Sequence, residues 1–272
     1  MTGTLLPHHP FDAAIELEPI GEGSFAAHTT PAYANMVGPF GGITAATALR
    51  AIQRHPQRLG EPISLTVNYA GPITDGPFEI AAQPTRTNRS TQHWTVSLIQ
   101  DGAVTTTATA VFGNRRQTWT ATEVNAPAAP PAETIAPVRI PDFLAWPHNY
   151  EMRFVQGGLP SQTGAQANST STLWVRDLPP RPLDYPALTA LCDVFFPRVM
   201  QRLGRIVPAG TVSMTVYFHA DEQLLATQSD RPVLATAGSQ HFGNGFFDQS
   251  AQLWTDSGAM LATSHQLVYF KD

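Results

Sequence analysis

Ser64-Leu65-Thr66-Val67-Asn68-Tyr69 and Ser213-Met214-Thr215-Val216-Tyr217-Phe218 are two versions of one pattern. Each alternates polar and apolar side chains, the two-residue period of a strand with one buried face. Upstream, Arg50-Ala51-Ile52-Gln53-Arg54 is echoed by Arg198-Val199-Met200-Gln201-Arg202. Downstream, Asp101-Gly102-Ala103-Val104 is echoed by Ser257-Gly258-Ala259-Met260. The offsets are 148, 149 and 156 residues, a drift of the size that loop insertions produce. Three echoes in the same order mark an internal duplication, and a duplication decides the fold before any single element does.

Each copy has one helix followed by strands. In the first, Gly41-Gly42 precedes a helix over Ile43 to Arg54, ended near Pro56. Strands are expected over Ile63–Ala70, Phe78–Arg86, Thr91–Gln100 and Val104–Phe112, with Asp101-Gly102 as a hairpin turn. In the second, Pro186 to Leu203 reads as one helix, with Leu188, Leu191, Cys192, Phe195 and Val199 on one face. Pro197 removes the donor for the Asp193 carbonyl, so a kink is expected there. Strands follow over Val212–Ala220, Val233–Gln240, Gly245–Thr255 and Met260–Phe270. Gly243-Asn244-Gly245 is too short for a phosphate loop and reads as a strand turn or bulge. Between the copies, Ala126 to Pro141 is rich in Pro and Ala, an extended connector. A long helix wrapped by an antiparallel sheet is the hot-dog architecture. The expected fold class is therefore α+β, two fused hot-dog domains at 1–117 and 146–272 joined by a linker at 118–145.

Composition narrows the function. Apolar residues make up 42 % of 272 and charged residues 14 %, so the chain is globular and long enough for two cores. A net charge of -5 without a Lys/Arg stripe argues against nucleic acid. Lys271 is the sole lysine, so an anionic ligand would be met by arginine. Cys192 is the sole cysteine, which rules out an internal disulfide and a cysteine-based metal site. The histidines are scattered without ligand spacing, and no metal or other cofactor is expected. Met1 to Pro10 lacks a signal-peptide pattern, no apolar run is long enough to span a membrane, and the expected compartment is the cytoplasm. No G-x-S-x-G elbow is present, which argues against an α/β-hydrolase with a serine nucleophile.

Four segments carry a resemblance. Pro39-Phe40-Gly41-Gly42, Tyr69-Ala70-Gly71-Pro72-Ile73, Tyr150-Glu151-Met152-Arg153-Phe154-Val155 and Leu173-Trp174-Val175-Arg176 resemble, in order, motifs of the type II acyl-CoA thioesterases. The resemblance covers nearly the whole chain apart from the linker. It implies acyl-CoA as substrate and a site of an Asp, a hydroxyl and a Gln holding the hydrolytic water. These roles fall on Asp193, Thr211 and Gln266, with Thr215 in reserve. Gly42 at the helix start is an expected substrate contact. Phe195 and Phe196, near Val199, are expected along an apolar tunnel between helix and sheet. Arg198 or Arg202 is expected at the CoA phosphates. The pattern departs from the family at Ile43, at Ser213-Met214 where an Asp-His pair is frequent, and at Asn244-Gly245 where Arg-Gly is frequent.

The trio makes chemical sense. A carboxylate offers acceptors only and cannot orient a water alone; a hydroxyl and a carboxamide supply the rest. An oxyanion donor is sought among backbone amides near the second helix. Aligning the copies puts Ala45 opposite Asp193 and Ala110 opposite Gln266, as expected if one copy alone kept the chemistry. Two rivals stand beside hydrolysis of a medium- or long-chain acyl-CoA. One is a non-catalytic acyl-CoA or lipid-binding protein; the other is a hot-dog hydratase or dehydratase, which needs a His that neither helix carries. A sheet edge or face leaves a homo-oligomer open.

Overall fold

In the computed structural model, which describes residues 8–272, the duplicated strands meet edge to edge. Residues 1–7, most of the Met1–Pro10 stretch discussed above, lie outside the described residues. The first half runs α1 (Pro10–Ala14), β1 (Glu18–Gly21), β2 (Ser24–His28), α2 (Gly41–Arg54), β3 (Glu61–Tyr69), β4 (Pro77–Thr87), β5 (Thr91–Gln100) and β6 (Ala103–Gly113). The second half opens with β7 (Tyr150–Gln156), α3 (Pro160–Thr163), β8 (Ser171–Asp177), α4 (Tyr185–Leu191), α5 (Arg198–Leu203) and β9 (Ala209–Phe218). It closes with α6 (Glu222–Gln228), β10 (Val233–Gly238), β11 (Phe242–Gly243), β12 (Phe246–Trp254) and β13 (Met260–Phe270).

All strands join one antiparallel sheet in the order β1-β2-β4-β5-β6-β3-β9-β13-β12-β10-β8-β7, with β11 paired to β12. Element for element, the order reads the same from either end. The mirror point is the β3–β9 seam, where Thr66 is the register partner of Thr215, its own duplicate. Their hydroxyls lie 3.0 Å apart. The duplication seen in sequence is thus a pseudo-twofold, and the chain mimics a dimer of single hot-dog domains.

The sheet curls around α2 and α4. Ala45, Ala48, Ala51, Ala187 and Ala190 have no exposed surface, and these small side chains let the two helices pack closely. Closest of all is Gly42: a Cβ there would lie 2.8 Å from the Ala190 carbonyl and 2.5 Å from the Phe40 ring. One continuous apolar cluster runs through both halves. Two-residue turns with positive φ close two hairpins, at Asp101-Gly102 and at Asn244-Gly245.

The expected single helix over Pro186–Leu203 is instead two, α4 and α5, with residues 192–197 irregular. Pro197 has no N–H, and it stands at the N-cap of α5, so the helix restarts where a kink was expected. The connector is also more than a tether. Between β6 and β7 only two 3-10 turns form, Ala132–Thr134 and Trp146–Asn149. Ala126, Ala129, Ala132 and Ile135 pack on a cluster of Trp174, Leu234 and Trp254. Trp174 Nε1 donates to the Pro130 carbonyl at 2.8 Å.

Candidate active site

The break between α4 and α5 delivers Asp193. Having left the helix at Cys192, the chain exposes this carboxylate on the inner side of the sheet, beside the first turn of α2. A Cβ on Gly41 would lie 2.8 Å from Asp193 Oδ2. Thr211 reaches the same place through a β-bulge. The β9–β13 register slips between the Ser213–Leu267 and Thr211–Val268 pairs, leaving Val212 unpaired. Without that slip Thr211 would share the outer face with Ser213 and Thr215; with it, the hydroxyl turns inward. Gln266, on the buried face of β13 opposite Met214, completes the group.

The three side chains form one hydrogen-bonded line. Thr211 Oγ1 donates to Gln266 Oε1 at 3.3 Å, and Gln266 Nε2 donates to Asp193 Oδ1 at 2.9 Å. Gln266 Nε2 also lies 3.4 Å from the Cys192 carbonyl and 3.5 Å from Met214 Sδ. The structure therefore brings Asp193, Thr211 and Gln266 together. Thr215 lies instead on the outer face, against Thr66.

Burial pushes the Asp193 carboxyl up to about 7, while the Gln266 amide and the Gly42 backbone N–H pull the other way. Such a group exchanges protons near neutrality, as a general base should. Beside the trio, the Tyr69 hydroxyl donates to the Gly41 carbonyl at 2.9 Å, a role that nothing in the sequence signals. Burial and the neighbouring Asp193 hold that phenol well above its usual range, so it stays a neutral donor. Burial also pushes the Cys192 thiol up, which leaves no thiolate nucleophile at this site. Among the described residues, no group of three His, Cys, Asp or Glu could hold a metal ion. The backbone amide at the carboxylate is that of Gly42, at the start of α2, in the other half of the molecule from the helix where an oxyanion donor is expected.

The expected substrate contacts divide. Gly42 does face Asp193 through its backbone N–H. Phe196 and Pro197 of the helix break line an apolar groove open to solvent, together with Met200 of α5 and Trp146 of the 3-10 turn before β7. Phe195 is buried and does not line it; its ring lies 5.5 Å from the Arg198 guanidinium. Arg198 does not take the expected place at the CoA phosphates. It is 1 % exposed, and its guanidinium donates to the carbonyls of Phe196 and Ser169 and to Ser171 Oγ. With its donors turned inward, it pins the broken helix and has no fork to offer a phosphate. Arg202, one turn on, is exposed. The trio itself does not line the groove.

Comparison with known proteins agrees with this architecture. Residues 30–113 match the acyl-CoA thioesterase N-terminal domain and residues 120–270 the acyl-CoA thioesterase C-terminal domain. A conserved protein of unknown function with a hot-dog fold from Alicyclobacillus acidocaldarius is 48 % identical, covering 97 % of this chain and 99 % of its own, with a TM-score of 0.94. The TesB protein of Mycobacterium avium subsp. paratuberculosis is 20 % identical over 96 % of this chain and 98 % of its own, with a TM-score of 0.78. An acyl-CoA thioesterase II, TesB2, from Mycobacterium marinum is 18 % identical over the same shares, with a TM-score of 0.76. At that identity the last two speak for the fold alone. No curated protein matches. With both halves of the family matched in order and the double hot-dog fold in place, the chain belongs to the acyl-CoA thioesterase family.

Proposed function

We propose that this chain hydrolyses a medium- or long-chain acyl-CoA to a free fatty acid and CoA, in the cytoplasm, with Asp193 as the base. The observation that carries the reading is the Thr211–Gln266–Asp193 line, built from three elements far apart in sequence. Gln266 spends its amide on Asp193 Oδ1 and its carbonyl on the Thr211 hydroxyl. This leaves Oδ2 and the lone pairs of Thr211 Oγ1 as acceptors for the two hydrogens of one water. The water oxygen then attacks the thioester carbonyl carbon while its proton passes to Asp193. The tetrahedral intermediate collapses with cleavage of the C–S bond, and the departing thiolate takes the proton. The Gly41 N–H at the start of α2 is the proposed donor for the oxyanion, because the Gly42 N–H is held by Asp193 and those of Ile43 and Thr44 by the Phe40 carbonyl. General-base assistance of this kind is worth about 10²–10⁴ in rate, and an oxyanion donor about 10²–10³ more.

The second reading is a binder that has lost the reaction. Its support is Met214, whose sulfur rests against the Gln266 amide where family members often carry His. Thiol release measured across a panel of acyl-CoA lengths separates the two. Hydrolysis predicts one free thiol per acyl-CoA, released faster from medium- and long-chain thioesters than from short ones; tight binding with no thiol from any length rejects it.

A further inference from the structure

Resting on the reading above, we propose that Tyr69 is a positioning residue for the reaction: by holding the Gly41 carbonyl, its hydroxyl sets and polarises the peptide whose N–H supports the Asp193 carboxylate. The Gly41 carbonyl and the Gly42 N–H belong to one peptide group. Tyr69, half-buried at the end of β3, donates to that carbonyl at 2.9 Å. The N–H on the other side of the group faces Asp193 and favours its charged form. One amide is thus held from both ends, by a strand of the first half and by the helix break of the second.

The glycines explain why such a clamp matters. A Cβ on Gly41 would stand 2.8 Å from Asp193 Oδ2 and 3.5 Å from the Tyr69 hydroxyl, and one on Gly42 would stand 2.8 Å from the Ala190 carbonyl. The close approach of the carboxylate and of α4 excludes side chains here, so two adjacent residues carry the wide backbone freedom of glycine. α2 also starts without a side-chain cap, because its N-cap is Phe40. The orientation of this peptide is therefore set by whatever binds its two polar ends. A first-turn carbonyl gives one lone pair to the helix and keeps a second for a side chain, the place the phenol takes. That bond draws electron density toward the carbonyl oxygen and makes the N–H of the same amide a stronger donor.

The duplicate strand end separates this role from the ordinary need of a phenol for a partner. Phe218 holds the position of Tyr69 in the second half, buried and edge-on to Tyr185 with ring centroids 5.6 Å apart. This strand end folds with phenylalanine. Of the two copies, only the one that meets the glycines beside Asp193 carries a hydroxyl.

The test follows the Gly42 amide proton of the intact chain by heteronuclear NMR across the neutral pH range, which needs no substrate. In the wild type that proton should titrate with Asp193, near pH 7. The other titratable groups that sense this carboxylate are Tyr69, Tyr150 and Cys192, all pushed up by burial and neutral there, so the midpoint belongs to Asp193. Tyr69→Phe weakens the N–H donor and so favours the protonated acid. The midpoint should rise by about half a pH unit. The acid limb of the kcat profile should move with it, so that kcat below the midpoint falls about threefold while KM stays nearly unchanged. Tyr185→Phe, which deletes a phenol bonded to Glu61 at 2.6 Å, is the matched control and should leave the midpoint in place. A wild-type amide that does not titrate, a Tyr69→Phe midpoint equal to the wild type's, or an equal shift from Tyr185→Phe overturns the inference. If Tyr69→Phe moves the midpoint but the wild type releases no thiol from any acyl-CoA, the clamp on Asp193 stands and hydrolysis falls. If thiol is released and the midpoint stays put, hydrolysis stands and the clamp falls.

Discussion

Gln266 and Ala110 occupy the same position in the two halves: one pairs with Met214 across the β9–β13 ladder, the other with Leu65 across β3–β6. Thr211 and Pro62 also correspond, each at the start of a register slip that the two halves share. Asp193 answers to Ala45 at the offset of the helix echo. At all three positions the second half carries a polar group and the first an apolar one. The bulge therefore belongs to the scaffold that the two halves share, and only the second half carries a hydroxyl at it. The first half in turn supplies what the second lacks, the glycine-rich helix start that faces the carboxylate.

Several experiments break or sharpen this contrast. Asp193→Asn should lower kcat by about 10²–10⁴, whereas Ala110→Ser in the first half should leave it within about twofold. Gln266→Leu removes a donor from Asp193 and should cost about tenfold to a hundredfold in kcat. It should also move the acid limb of the pH–rate profile. In the wild type, activity should rise as Asp193 ionises through about pH 7. Loss of the Gln266 donor raises that pKa further, so the limb should shift to higher pH. Gly42→Ala should cost about 1–3 kcal/mol of stability in a denaturant titration, since its Cβ meets the Phe40 ring and the Ala190 carbonyl. Thr211→Val should reduce kcat about threefold to tenfold, and Thr211→Ser should restore most of it. Smallest of all, Thr66→Val with Thr215→Val should weaken the seam by about 0.2–1 kcal/mol and leave turnover unchanged.

Linkage gives the contrast a stability readout. The folded carboxyl of Asp193 sits near 7 and the unfolded one at its ordinary value of 3.8. Between those limits the folded chain holds a proton that the unfolded chain has lost, so this group makes stability fall as pH rises through the window. Asp193→Asn removes that loss. Its melting temperature relative to wild type should be higher at pH 8 than at pH 4.

Much of this molecule is legible in the sequence because its signals are local and repeated. The strand Thr91–Gln100 has the expected ends, and α2, β6 and β13 differ from expectation by at most two residues. Alternation, an Asp-Gly turn and alanine-rich helix formers act within a few residues and survive folding. The convergence of Asp193, Thr211 and Gln266 followed from family resemblance, not spacing, since they are linked by tertiary packing. What escaped depended on direction. Arg198 looks like a surface cation in a string of letters, but the helix break turns its guanidinium inward to three buried oxygens. The inward turn of Thr211 depends on a one-residue slip that no composition signals. The tryptophan-covering role of the connector was hidden because proline and alanine mark extended chain without saying what it lies against. β1 escaped because all four of its residues are exposed and nothing alternates.

Asp193 is the residue on which the proposed reaction turns, and free-thiol release under single-turnover conditions tests it most directly. With enzyme in excess over a long-chain acyl-CoA at pH 8, the wild type should convert the whole pool while Asp193→Asn, folded and still binding the thioester, runs at least about a hundredfold slower. Comparable rates for the two proteins would contradict the assignment.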